Sequence, residues 1–269
     1  MADAPSTTVQ TRADQRGSFW KTLLGLALFA WVLRSLIIAP FSIPSGSMLP
    51  GLHIGDYLIV AKWPYGYSRA SFLFGFPPIR GRVFSQLPER GDVTVFQGPD
   101  GADVIKRVIG LPGDTIATRD GQLILNGRPL PKRPAGDFLM PISPNSPCRV
   151  VPPALPEVRD GRCSYPAFRE TLPNGPSYLV LDQIDNPIAD DFGPVTVPSG
   201  TVFMMGDNRD DSADSRYPPA LGGMGFVPQE ALVGRAMVIF WSTDGSASWL
   251  LPWTWFTALR PERIGKTFP

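Results

Sequence analysis

The longest apolar run lies near the start of the chain. FWKTLLGLALFAWVLRSLIIAPFSI, Phe19 to Ile43, contains only Lys21 and Arg34 as charged residues. A membrane-spanning helix needs roughly 20 largely apolar residues. The uncharged stretch 22–33 is shorter than that, so a span over residues 19–39 requires Lys21 and Arg34 to reach the two interfaces with their long side chains. The apolar positions form no one-sided stripe, which argues against a helix laid on a core or in the plane of an interface. A cleavable leader would share the basic start and apolar centre, but the run continues past Arg34 through Leu36, Ile37 and Ile38, longer than a leader requires. The pattern predicts a retained, single-pass anchor. Arg12, Arg16 and Lys21 precede it, and the positive-inside rule puts residues 1–18 in the cytoplasm and residues 40–269 outside.

Beyond the anchor the period changes from helical to alternating. DVTVF (92–96), DVIKRVIG (103–110), QLILNG (122–127), SYLVL (177–181), TVFMMG (201–206) and AMVIFW (236–241) are short, rich in β-branched or aromatic residues, and bounded by turn formers. Asp120-Gly121 between two such runs reads as a hairpin turn. Residues 129–176 hold 12 prolines, which predicts an irregular, loop-rich insertion extending over about 129–200 rather than core sheet. The expected fold is mainly β: one transmembrane helix, then an antiparallel β domain with a proline-rich β/loop insertion.

Composition narrows the function. With 269 residues, 43% of them hydrophobic, the chain can bury a sizeable core. Twenty-five basic residues against 24 acidic ones give no bulk electrostatic case for a nucleic-acid partner. One histidine and two cysteines, Cys148 and Cys163, without paired ligand spacing, make a metal centre improbable on composition, and no cofactor motif is present. In an oxidising compartment the two cysteines could close a disulfide across the proline-rich stretch; otherwise they are separate thiols.

Three stretches carry candidate chemistry. PSGSMLPGLHIGD (44–56) sets Ser45 and Ser47 among turn formers directly after the anchor. A serine hydroxyl needs a base to act as a nucleophile, and His53, the sole histidine, reads as an isolated exposed imidazole rather than as part of a triad. In DVIKRVIG the adjacent cations Lys106 and Arg107 cannot share a strand face. One of them is therefore turned inward. A desolvated lysine becomes a usable base, whereas arginine stays protonated; on the strand alone, an edge position with Lys106 in solvent is the plainer reading. GDNRDDSADSR (206–216) lacks the glycine and glutamate spacing of a calcium loop. It is either a solvated turn or a loop in which Ser212 and Asp214, with Arg216 pairing the acid, orient a basic group.

The ordered set PSGSMLP, RGDVTVF (90–96), IKRVIGLPGD (105–114) and GDNRDDSADSR, downstream of an anchor, resembles the bacterial type I signal peptidases, membrane-bound serine endopeptidases that remove signal peptides from exported preproteins. The resemblance implies a Ser-Lys dyad with Ser47 as nucleophile and Lys106 as general base. It further implies an oxyanion hole from the Ser45 hydroxyl and the Ser47 N–H, Ser212 hydrogen-bonded to the lysine, and Asp214 and Arg216 in support. Asp211 stands where many relatives carry asparagine. Substrates would be preproteins with small residues before the cleavage site, met at the lipid bilayer; Met48 and the first strands would line the small-residue pockets or simply pack the core. The aromatic C-terminal segment SWLLPWTWFTALRPERIG, with Trp249, Trp253, Trp255 and Phe256, suits either a membrane interface or packing on the β body. A conjugation-type processing peptidase and a non-catalytic tethered scaffold are the alternatives.

Overall fold

A computed structural model describes residues 12–149, 152, 157–173, 175–248 and 250–268. Helix α1, Arg12–Val32, runs through a wider turn, Leu33–Ile37, into strand β1, Ile38–Ser42. The apolar span Ser18–Ile37 is 20 residues long with 6% of it buried, which at about 1.5 Å per residue matches the ~30 Å of a hydrocarbon layer. The helical conformation stops two residues before the expected anchor end. Ala39 precedes Pro40, whose ring disfavours the helical region for the residue before it, and Ile38 and Ala39 instead pair with Ala61 and Val60. Residues 1–11 of the expected tail lie outside the described residues.

Seventeen strands, numbered in chain order, are found among the described residues. The principal sheet is antiparallel, in the order β1, β2 (Asp56–Ala61), β17 (Leu232–Ser242), β5 (Val93–Gln97), β6 (Asp103–Gly110), β15 (Thr201–Met205) and β16 (Val227–Pro228). β3 (Tyr67–Ser68) and β4 (Arg82–Val83) form a small separate pair. A second sheet joins β14 (Val195–Thr196), β7 (Thr115–Arg119), β8 (Gln122–Leu125) and β9 (Arg128–Pro129). Its β7–β8 hairpin closes over Asp120 and Gly121 at φ 47° and 66°, the two positive values a two-residue type I′ turn demands.

The proline-rich insertion carries the β structure expected of it and is more regular than its prolines suggest. β10 (Lys132–Pro141) and β12 (Arg162–Thr171) pair along their length, and β11 (Glu157–Arg159) and β13 (Ser177–Leu181) share the other edge of β12. The prolines fall on an edge strand, beside a register shift and at a change of partner, where a sheet tolerates them. β10 is an edge strand, its register shifts between Pro134 and Asp137, and Pro166 falls where β12 passes from β11 to β13. Cys148 and Cys163 form a disulfide with Cα atoms 5.5 Å apart, tying the segment before β11 onto β12.

The core lies on both sides of the principal sheet. Ile43, Met48, Leu52, Leu58, Val95 and Ile105 make one cluster, while Ile109, Phe203 and Met205 pack with Ile116 and Leu123 of the second sheet. The C-terminal aromatic segment stays outside these clusters: Leu250, Trp253 and Phe256 are exposed by 89%, 65% and 77%. Trp249 lies outside the described residues.

Candidate active site

The serine loop is built by local closure and by burial. Ile43 N–H donates to Asp56 O and Gly55 N–H to Ile43 O, at 2.9 and 3.0 Å, so residues 43–55 form a closed excursion between β1 and β2. Leu49 N–H bonds Gly46 O, and Leu52 N–H bonds Met48 O. Met48, Leu49 and Leu52 are fully buried. Each such side chain contributes about 1.5–3 kcal/mol of burial, enough to hold Ser47 between fixed points.

Lys106 reaches that loop from β6. Its Nζ donates to Ser47 Oγ at 2.7 Å and to the Ile105 carbonyl at 3.1 Å. Ser45 Oγ lies 3.4 Å from Ser47 Oγ. Ser47 N–H has no acceptor among the described residues, so a backbone donor and two hydroxyls converge beside the lysine. Burial is the main cause that holds the Lys106 ammonium below its ordinary pKa, against the opposing fields of Asp214, Asp207 and Asp211.

Both cations of the β6 pair are buried, not one. Lys106 and Arg107 are exposed by 4% and 2%, because elements cover β6 on both faces. The Arg107 guanidinium is matched by Asp207 with two bonds of 2.8 Å, donates to Gly91 O at 2.8 Å, and stacks 4.0 Å from the Tyr178 ring centre. An acid opposite a second inward cation is the signal by which Asp207 could have been found from sequence.

The loop 206–216 holds the dyad from behind. Asp214 and Arg216 pair through bonds of 2.9 and 3.0 Å, and Asp214 Oδ2 also accepts Gly206 N–H at 3.0 Å. Burial raises the Asp214 carboxyl, but the Arg216 charge and hydrogen bonds outweigh it and leave the pKa below the usual range. Asn208, which sequence reasoning passed over, donates its backbone N–H to Ser47 O and its Nδ2 to Gly46 O, both at 3.1 Å. Gln183 Nε2 in turn orients Asn208 Oδ1 at 2.9 Å. Ser212 does not make the expected contact: its Oγ is buried and has no hydrogen-bond partner among the described residues. It sits close against Gly206 and the Ser47 carbonyl, where a Cβ on Gly206 would approach the two oxygens to 2.3 and 2.5 Å. Asp211, the departure from the resembled pattern, has a partner of its own in Arg149, at 2.6 and 3.0 Å.

His53 is buried rather than exposed, edge-on to Phe138, and makes no hydrogen bond to Ser47. Burial, with the nearby Arg263 charge, pushes its pKa down to about 3 despite Asp56. A neutral imidazole held there is core, and the lysine is the base within reach of Ser47.

Two strand edges beside the dyad are open. β1 has β2 on one side only, and β15 covers β6 only from Arg107 to Gly110, leaving Asp103–Lys106 paired on the β5 side alone. Phe41 and Ile105, from these two edges, pack into one cluster. The pair of edges is a template for an extended peptide.

Residues 16–241 match the family described as signal peptidase, peptidase S26. The chain belongs to that family. Signal peptidase I of Rickettsia canadensis is 36% identical over 251 residues, spanning 90% of this chain and 84% of the relative. Signal peptidase I of Rickettsia typhi is 38% identical over 224 residues, spanning 80% and 76%. The crystal structure of a signal peptidase I from Enterococcus faecalis is 27% identical, covers 56% of this chain and 97% of that chain, and superposes with a TM-score of 0.30. Signal peptidase I is a serine endopeptidase, and a serine hydroxyl bonded to a desolvated lysine is the equipment such an enzyme requires.

Proposed function

We propose that this peptidase removes signal peptides from exported preproteins with Ser47 as nucleophile and Lys106 as general base, at the outer face of the membrane that α1 crosses. The observation that carries the reading is the 2.7 Å hydrogen bond between Lys106 Nζ and Ser47 Oγ in a buried setting. Neutral Lys106 takes the Ser47 proton as Oγ attacks the scissile carbonyl. The resulting oxyanion is met by the Ser47 N–H and the Ser45 hydroxyl. Lysine then protonates the leaving amine, and the signal peptide remains as an ester on Ser47 until Lys106 activates a water. Ser212 Oγ offers a hydrogen bond to the ammonium that forms in each half-reaction, while Asp214 with Arg216 fixes the loop that carries it. The substrate lies extended against the open edges of β1 and β6, its small side chains near Ile43 and Ile105.

The test pairs Ser47→Ala with Lys106→Ala, purified with their anchors and given a radiolabelled preprotein. Each change is expected to lower processing by roughly 10⁴-fold, and full-length precursor accumulates. Normal cleavage by both variants removes the proposal.

A further inference from the structure

At the end of α1 a cavity of about 860 Å³ opens between the turn after the helix and the strands beneath it, reaching Ala39 and Phe41 of β1 and Asp103 at the start of β6. Four cations line it: Arg34, Lys62, Arg69 and Arg80. Among the described residues none of their side chains makes an ion pair or a hydrogen bond. Two carboxylates, Asp103 and Glu230, share the lining, so positive charge is in excess.

Lys62 is the informative member. It is exposed by only 4%, with Phe41 as its ring contact at 5.6 Å. Buried charges are ordinarily paired, and an unpaired one facing a cavity is a place kept for an anion. Burial holds its pKa down at about 8, opposed by Asp103, which leaves the side chain mostly cationic at neutral pH.

Position identifies the source of that anion. The cavity lies where the apolar span Ser18–Ile37 ends, at the depth of lipid headgroups. Trp31 of α1 stacks on Phe72 of the cavity wall. Phe74, Phe76 and Phe84 stand exposed by 91%, 65% and 79% in the same segment, an apolar rim suited to acyl chains. We propose that the cavity binds the phosphate-bearing headgroup of an anionic phospholipid, with Lys62 beneath the phosphate and Arg34, Arg69 and Arg80 around it.

The proposal rests on the reading of α1 as a membrane anchor and is independent of the Ser47–Lys106 chemistry. The full chain is placed in nanodiscs holding phosphatidylglycerol and phosphatidylcholine in equal amounts, then released into mild detergent and examined by native mass spectrometry. A chain that fails to enter the discs refutes the anchor. Given entry, the expected result is retention of phosphatidylglycerol over phosphatidylcholine, with the preference reduced roughly tenfold or more in Arg69→Gln/Arg80→Gln. Both changed residues are on the exposed surface, and Lys62→Met serves as a second variant expected to act in the same direction. Equal retention of the two lipids, or a preference untouched by both variants, overturns the proposal. Displacement of the lipid by excess inorganic phosphate assigns the site to free phosphate and overturns the lipid. Loss of preprotein affinity in lipid-free micelles, with lipid retention unchanged, assigns the cavity to the substrate and overturns it as well.

Discussion

Burial of Lys106 opposes folding, and its sign can be worked out. A lysine whose folded pKa is depressed binds fewer protons folded than unfolded at every pH between the two values, so stability rises with pH across that window. The window runs from the folded pKa up to about 10.4, the unfolded value. Lys106→Met keeps the volume and removes the titration. Its denaturant midpoint is expected to lie at or above that of the parent near neutrality, with the difference closing as pH rises towards 10. A midpoint well below the parent's at neutral pH would show that the amine contributes to stability, contrary to the desolvation argument.

Asp211 acts on the same group from farther away. Its field raises the Lys106 pKa against the dominant effect of burial, and its carboxylate is tied to Arg149, part-exposed on the rim. Asp211→Asn deletes one negative charge and frees an arginine, both of which favour the neutral lysine. The acid limb of the kcat/KM profile, set by the proton on the free enzyme's base, is expected to move to lower pH by a fraction of a unit. A shift to higher pH would contradict the assignment of that limb to Lys106.

At the scale of elements, legibility follows how local each signal is. DVIKRVIG and SYLVL coincide with β6 and β13 to the residue, since β-branched runs between turn formers encode strands within their own length. β2 was not anticipated, although Asp56–Ala61 pairs with both β1 and β17 in the principal sheet. It follows a turn-rich stretch, and while Asp56, Leu58 and Val60 share its buried face, the other face carries the equally apolar Tyr57 and Ile59, so no polar alternation marks it. β10 and β12 were hidden by prolines that only the sheet edges make harmless. The site divides in the same way. Ser47 and Lys106 are individually ambiguous, and only the order of several motifs joined them; Asn208 and Arg149 act through contacts across 162 positions and 62 positions of sequence. The 206–216 loop against the serine loop makes an element-scale prediction. Gly206→Ala would press a methyl onto Ser212 Oγ and Ser47 O, costing about 1–3 kcal/mol and most of the turnover. Gly25→Ala in α1, where nothing lies within 4 Å, is the control expected to change neither. Equal unfolding curves for Gly206→Ala and the parent would refute the close packing of the two loops.

For the whole molecule, the question is whether α1 alone would bring the β body to a bilayer. Among the described residues, α1 and its turn meet the body through Trp31 on Phe72, the Tyr67 hydroxyl on Leu36 O, the Leu73 N–H on Ser35 Oγ and the Lys62 N–H on Ile37 O. The apolar surface of the body continues well past them. Phe74 and Phe84 lie near the Ile38–Ala61 end of β1 and β2, whereas Tyr57, Trp241 and Trp255 line a hollow at the Ser42–Tyr57 end. The two ends are separated by roughly 13 Å of strand, and together they make a line along the open edge at which the substrate is expected to bind. A chain beginning at Ile38 should keep its core and unfold within a few degrees of the full protein, because the buried clusters lie outside α1. It should also sediment with phospholipid vesicles, and Trp253→Ser/Phe256→Ser should weaken that association while leaving cleavage of a soluble peptide unchanged. A truncated chain that stays in the supernatant as a monomer without detergent would mean that α1 alone makes the membrane contact, and that the exposed aromatics serve another surface.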